Sequence, residues 1–78
     1  MYTVYSKENC KFCDKVEKIF QLKELPYIKY TLGEHFTREE FIKEFGEGST
    51  FPRVIDRSGA IIGGAKETVD FLRTQGVI

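Results

Sequence analysis

Two runs of β-forming residues, Tyr2-Thr3-Val4-Tyr5 and Tyr27-Ile28-Lys29-Tyr30-Thr31, stand on either side of one amphipathic stretch, and 78 residues leave little chain outside that unit. From Lys11 to about Lys23, Cys13, Val16 and Phe20 recur at helical spacing with Ile19 beside them, while lysines and acids fill the opposite face. Pro26 stops the helix, because its ring blocks the next turn and it has no N–H to donate. A strand, a helix and a second strand in that order imply a parallel pair joined by a crossover.

The second half adds a helix, a hairpin and a last helix. Thr37 and Glu40 match the spacing of a capping box, and Phe41, Ile42 and Phe45 supply the buried stripe of a helix that Gly46 and Gly48 close. After Pro52, Arg53-Val54-Ile55 and Ala60-Ile61-Ile62 flank the turn Asp56-Arg57-Ser58-Gly59 as the arms of a hairpin. Gly63-Gly64 breaks the second arm. A final helix from about Ala65 to Gln75 is expected to turn Val69 and Leu72 inward, with Phe71 adding apolar surface and Gly76 ending it. The order βαβαββα predicts one α/β domain over residues 1–78, a four-stranded mixed sheet flanked by three helices.

Twelve basic residues balance twelve acidic ones and the pI is about 6.6, so no global field draws the chain to nucleic acid or to an anionic membrane. The first residues lack the basic and apolar regions of a secretory signal, and no apolar run reaches membrane-spanning length, so the expected location is cytoplasmic. Cys10 and Cys13 lie three positions apart and would close almost no loop, which makes them a poor structural staple.

Their chemistry lies in their position. Cys10-Lys11-Phe12-Cys13 falls where a strand hands over to a helix, so the free N–H groups and positive dipole end of the helix face the first sulfur. Such sites favour thiolate: a free thiol has a pKa of about 8.5, and cysteines at helix starts or in Cys-X-X-Cys pairs fall to roughly 3.5 to 7.5. Lys7 and Lys11 push the same way and Asp14 opposes them. Cys13, on the inner stripe with Val16 and Phe20, is expected to be the more buried. Cys10 is therefore expected to attack a disulfide, and Cys13 to resolve the mixed disulfide that forms.

A closed zinc site takes four ligands, and the chain offers only Cys10, Cys13 and His35 of the usual types, so no metal site is expected within one protomer. A cluster bridged between two protomers stays open. His35, in a polar stretch without a partner, is read as a solvated loop side chain.

Four features in order now carry a resemblance: Lys7 three residues before the first cysteine, Cys10-Lys11-Phe12-Cys13 beside a family pattern Cys-Pro-Tyr-Cys, Thr50-Phe51-Pro52 beside Thr-Val-Pro, and Gly63-Gly64 before the last helix. The chain resembles the glutaredoxin family over nearly its whole length. That resemblance implies a minimal thioredoxin fold with Cys10 and Cys13 as the catalytic pair. It implies a glutathione site made by Lys7, Phe12, Phe51, Pro52, Gly64, Ala65 and Lys66. In it Pro52 is cis, the backbone of Phe51 bonds the bound peptide, Lys7 sits near the glycine carboxylate, and Phe12 is an aromatic beside the ligand; Arg38 stands where family members can carry a basic residue, with a solvated side chain as the other reading. It also implies glutathione as reductant with no permanently bound cofactor, and a monomer acting on disulfide-containing or glutathionylated proteins, ribonucleotide reductase among those the family serves.

Two departures stand out. Lys11 replaces the proline usual between the cysteines, freeing an N–H and adding a charge, which leaves the redox potential open. Ala65-Lys66-Glu67 stands where the family has a small residue followed by Asp or Ser at the γ-glutamyl end of glutathione. Two alternatives remain: a redoxin of the same fold reduced by thioredoxin reductase, and an iron-sulfur cluster carrier working as a glutathione-bridged dimer. Retention of both cysteines argues mildly against the carrier.

Overall fold

A computed structural model describes residues 1–78. Its elements are β1 (Tyr2–Ser6), α1 (Lys11–Leu22), β2 (Tyr27–Thr31), α2 (Arg38–Phe45), β3 (Arg53–Ile55), β4 (Ile61–Gly63) and α3 (Ala65–Thr74). The four strands form one sheet in the order β2-β1-β3-β4. β1 pairs in parallel with β2 from Tyr2 opposite Tyr27 to Ser6 opposite Thr31, and antiparallel with β3, where Val4 faces Val54. β3 and β4 form the hairpin, with a register shift between Val54 and Ile55. This is the mixed four-stranded sheet with three helices that the order of elements predicted, a thioredoxin fold.

Alternation along β1 assigns the two faces. Tyr2, Val4 and Ser6 point to one side and are buried, and Val4 packs with Val54, Val16, Phe20 and Leu72 in a core where each of these is at most 1% exposed. Fully burying a side chain of this kind is worth about 1.5 to 3 kcal/mol, so this cluster is the main weight holding α1 and α3 on that face. Glu17 adds a polar clasp from α1 to β2: it accepts from the Tyr27 hydroxyl at 3.2 Å and pairs with Lys29 at 3.3 Å. Tyr5 points to the other side, where its ring meets Phe45 at 4.9 Å and Phe36 at 5.2 Å, which seats α2. Burial there pushes the Tyr5 hydroxyl up from its ordinary pKa, with Glu44 and Tyr30 adding to the effect.

The elements fall within a residue or two of their expected bounds. Two expectations of burial fail in part. In α2 only Phe41 is buried, with Ile42 and Phe45 half-buried where the helix rests on the edge of the Tyr5 cluster. In α3 Val69 is only half-buried, the inward place beside Leu72 belonging to Thr68, 1% exposed. The Thr68 hydroxyl donates to the Gly64 carbonyl at 2.8 Å, inside its own helix, so it is buried without an unmet hydrogen bond. Val69, about 100° further round the helix, is left at the seam between α1 and α3.

The hairpin turn rests on one carboxylate. Asp56 Oδ1 accepts from the Ser58 N–H at 2.9 Å, the Ser58 hydroxyl at 2.7 Å and the Ala60 N–H at 3.0 Å. These bonds, the Ser58 hydroxyl first, hold its carboxyl below the ordinary 3.8. A group depressed on folding stabilises above its unfolded pKa and loses that contribution as pH falls through the folded value. Asp56→Ala should therefore be less stable than the parent at pH 7 in urea unfolding, and the gap should close as the pH drops below about 3.8. A gap of equal size at pH 2 would remove the carboxylate from the account.

Candidate redox site and the cleft beside it

β1 ends at Ser6, and the chain turns through Lys7-Glu8-Asn9 before α1 begins. Asn9 takes the left-handed backbone, φ 55°, that Asn tolerates better than most residues. Cys10 then returns to extended geometry, φ −113° and ψ 103°, as the N-cap of α1. Its carbonyl accepts from the Asp14 N–H at 3.1 Å, and its Sγ accepts from the Cys13 N–H at 3.2 Å. The sulfur thus occupies the place where a Ser, Asp or Asn oxygen usually caps a helix, at the positive end of the dipole. Cys10 and Cys13 are joined as a disulfide and neither is free. Cys10 keeps 7% of its surface in contact with solvent and Cys13 none. The expected contrast between them survives in order, though Cys10 is less open than a freely exposed thiol.

The other wall of the site is the loop before β3. The Phe51–Pro52 bond is cis and Pro52 is buried. The Phe51 ring stacks on Phe41 of α2 at 4.2 Å and 17°, so the aromatic cluster beneath α2 fixes this loop. Lys7 Nζ stands 5.6 Å from the centre of the same ring, which draws the segment before Cys10 towards Phe51. Between the two walls lies a cleft of about 450 Å³ lined by Lys7, Cys10, Lys11 and Phe12 on one side and Arg38, Thr50 and Phe51 on the other. That volume falls within the range of about 300 to 1,000 Å³ common for small-molecule sites. Three of its lining side chains are cationic and none is acidic, so a negatively charged ligand is favoured.

Of the two readings of Arg38, a basic residue of the site or a solvated side chain, the structure favours the first, since Arg38 lines the cleft. Thr37 caps α2 with a complete box, its hydroxyl accepting from the Glu40 N–H at 3.2 Å and its own N–H donating to Glu40 at 2.8 Å, and this places Arg38 at the helix start facing the cysteines' loop. Ala65 and Lys66 do not line this cleft. They border a second, smaller depression with Phe12, Val16, Ile19 and Val69. Phe12, 60% exposed, is the ridge between the two.

Gly64 is buried beside Pro52: a Cβ on it would come within 3.6 Å of the Pro52 carbonyl and 3.1 Å of the Glu67 carboxylate. Gly63, at φ 129°, has a backbone that a side chain would strain, and a Cβ there would meet Glu67 at 3.0 Å. Glu67 is a residue that sequence reasoning missed, although Gly64 and Glu67 have capping-box spacing: its carboxylate accepts from the Gly64 N–H at 2.8 Å. His35 is exposed but engaged, its Nδ1 accepting from the Thr31 N–H at 3.0 Å, and it borders a different depression, with Tyr5 and Tyr30. No group of three or more His, Cys, Asp or Glu side chains is placed to hold a metal ion.

A family model described as Glutaredoxin matches residues 2–58. No curated protein matches the chain by sequence. Among solved structures, the chain is similar to a buckwheat glutaredoxin in complex with glutathione, at 24% identity and a TM-score of 0.80, covering 97% of this chain and 71% of that one. It is similar to a Francisella tularensis glutaredoxin complexed with cacodylate, at 17% identity and a TM-score of 0.79, covering 97% and 94%. It is also similar to reduced Escherichia coli glutaredoxin, at 17% identity and a TM-score of 0.71, covering 99% and 98%.

The capping geometry makes a direct demand on reactivity. In the reduced protein, iodoacetamide should modify Cys10 well before Cys13, and its rate should rise with pH to a midpoint below the ordinary thiol value of about 8.5. Mass mapping of the labelled peptides checks the order. A midpoint at or above that value would contradict stabilisation by the helix start.

Proposed function

Since the chain belongs to the glutaredoxin family, we propose that it is a glutathione-coupled thiol-disulfide oxidoreductase that reduces protein disulfides and glutathionylated thiols. The observation that carries this reading is the Cys10 sulfur acting as a helix cap at the edge of a cationic cleft, bonded to Cys13. A neighbour of the same fold has been solved with glutathione, which supports the choice of thiol.

The chemistry balances within the dithiol. The Cys10 thiolate attacks one sulfur of a substrate disulfide, forming a mixed disulfide and expelling the other substrate sulfur as a thiolate that takes up a proton. Deprotonated Cys13 then attacks Cys10 Sγ and releases the second substrate thiolate, leaving the Cys10–Cys13 disulfide. Two glutathione molecules restore the dithiol: the first forms a mixed disulfide with Cys10, and the second attacks that glutathione sulfur and leaves as glutathione disulfide. Substrate gains two electrons, and two glutathione thiols lose them.

In this reading glutathione lies along the cleft. Its glycine carboxylate is drawn to Lys7 and Arg38, its backbone pairs with that of Phe51 beside Pro52, and Phe12 flanks it. The γ-glutamyl end reaches towards Gly64, Ala65 and Lys66, where the first N–H groups of α3 have no partner inside the helix and favour a carboxylate. The Gly64 N–H is already held by Glu67, so Gly64 serves by letting the ligand close on the backbone rather than as a donor. Lys66 repels the γ-glutamyl ammonium and attracts its carboxylate. Exposed pairs of this kind are worth roughly 0.2 to 1 kcal/mol, so the two effects leave glutathione use intact. A reducing dithiol of this type belongs where glutathione is kept reduced, which points to the cytoplasm.

Cys10→Ser should abolish transfer on every substrate. Cys13→Ser should still deglutathionylate, because glutathione itself resolves that intermediate, while losing reduction of ordinary protein disulfides by the two-thiol route. Rates on a glutathionylated protein and on a protein disulfide, measured for both variants, check this. Equal loss in the two variants on both substrates would end the division of roles.

A further inference from the structure

The second depression, on the far side of Phe12 from the cleft, meets glutathione in that reading only at its rim, at Phe12, Ala65 and Lys66, and its floor of Val16, Ile19 and Val69 is left unfilled. Phe12, Val16, Ile19, Ala65 and Val69 make it almost wholly hydrocarbon, in the seam between α1 and α3. Its floor includes Val16, which is 1% exposed, and one wall is the exposed ring of Phe12. Glutathione is built from γ-glutamate, cysteine and glycine, and brings no apolar side chain to fill such a place. At about 200 Å³ the depression is also smaller than the roughly 300 to 1,000 Å³ of sites that enclose a whole small molecule. It has the scale of one side chain.

Its rim carries a sign. Lys15 and Lys66 border it, and no carboxylate lines it. Neither lysine is in an ion pair, since the only one in the structure joins Lys29 to Glu17. Their stems extend the apolar surface while their ammonium groups stay in water, an arrangement that accepts an apolar side chain with an acidic neighbour. Phe12 also joins the depression to the redox site, being next to Cys13 in sequence and lining the cleft with Cys10. A substrate held there would therefore span both.

We propose that this seam is the docking subsite for the polypeptide substrate, taking an aliphatic or aromatic side chain that lies beside an Asp or Glu near the disulfide to be reduced. The inference rests on the function proposed above and names its protein substrate by chemistry. Aromatic side chains such as Phe12 are enriched at interfaces, and the surrounding charge selects partners more than it adds affinity.

The test compares two synthetic peptides with the same disulfide ring, one carrying Leu-Glu beside a ring cysteine and the other Ser-Lys, with glutathione and glutathione reductase as the reducing system. Bis(2-hydroxyethyl) disulfide, which has nothing to place in the seam, reports the basal activity. The parent protein should prefer the Leu-Glu peptide by about tenfold in kcat/KM, which corresponds to about 1.4 kcal/mol. Val69→Asp should remove most of that preference with the small disulfide unaffected. Lys15→Glu, at an exposed position that does not endanger folding, should lower it severalfold at low salt and less at high salt. Equal kcat/KM for the two peptides, or a preference that survives both substitutions, would overturn the subsite. Failure to turn over bis(2-hydroxyethyl) disulfide with glutathione would instead overturn the function it rests on, and the subsite with it.

Discussion

A helix that starts on a cysteine is the constraint around which the rest of the molecule is arranged. The Cys13 N–H points at Cys10 Sγ, 3.2 Å away, because Cys10 is extended and Cys13 is already in the first turn of α1. That geometry needs β1 to stop at Ser6 and the chain to reverse its backbone at Asn9, and it needs α1 to be anchored further along. Val16 and Phe20 supply the anchor in the main core, and Glu17 ties the same helix to β2. The result places the cysteine that keeps residual solvent contact at the positive end of a helix and the other wholly inside.

The opposite wall depends on a separate packing unit. Phe41 and Phe36 stack on the Phe51 ring, so the loop that carries it is fixed across the cleft from Cys10 by a packing unit separate from the main core. Lys7 over the same ring connects the two walls. The cleft between them is cationic although the chain as a whole is neutral, with Lys7 and Lys11 on either side of Cys10 joined by Arg38 from the distant start of α2. Net charge excluded a global field, and it said nothing of this local one.

Much of the fold was legible because its signals are local. The helical spacing of Val16 and Phe20, the Thr37 and Glu40 box and the Gly63-Gly64 break each carry their own physics, and each lies where expected. What sequence reasoning did not supply is partly local hydrogen bonding that hydrophobic periodicity does not count, and partly contact across the chain. Thr68 replaces Val69 as the inward residue because a hydroxyl can be satisfied by its own helix, a detail that hydrophobic periodicity counts wrongly. Arg38 joins the cleft only once α2 is docked, and Glu67 is recognised as a cap only when Gly64 is seen to donate to it. The separation of Lys7 and Phe51 from Ala65 and Lys66 by the ridge of Phe12 is likewise a product of tertiary packing.

The central claim is that this dithiol takes its electrons from glutathione, and the most direct measurement is NADPH consumption during disulfide reduction with each of two reducing systems. With glutathione and glutathione reductase present, the account predicts sustained turnover that depends on the concentration of the protein, and little or none when thioredoxin reductase replaces both. Turnover with thioredoxin reductase and none with glutathione would contradict it.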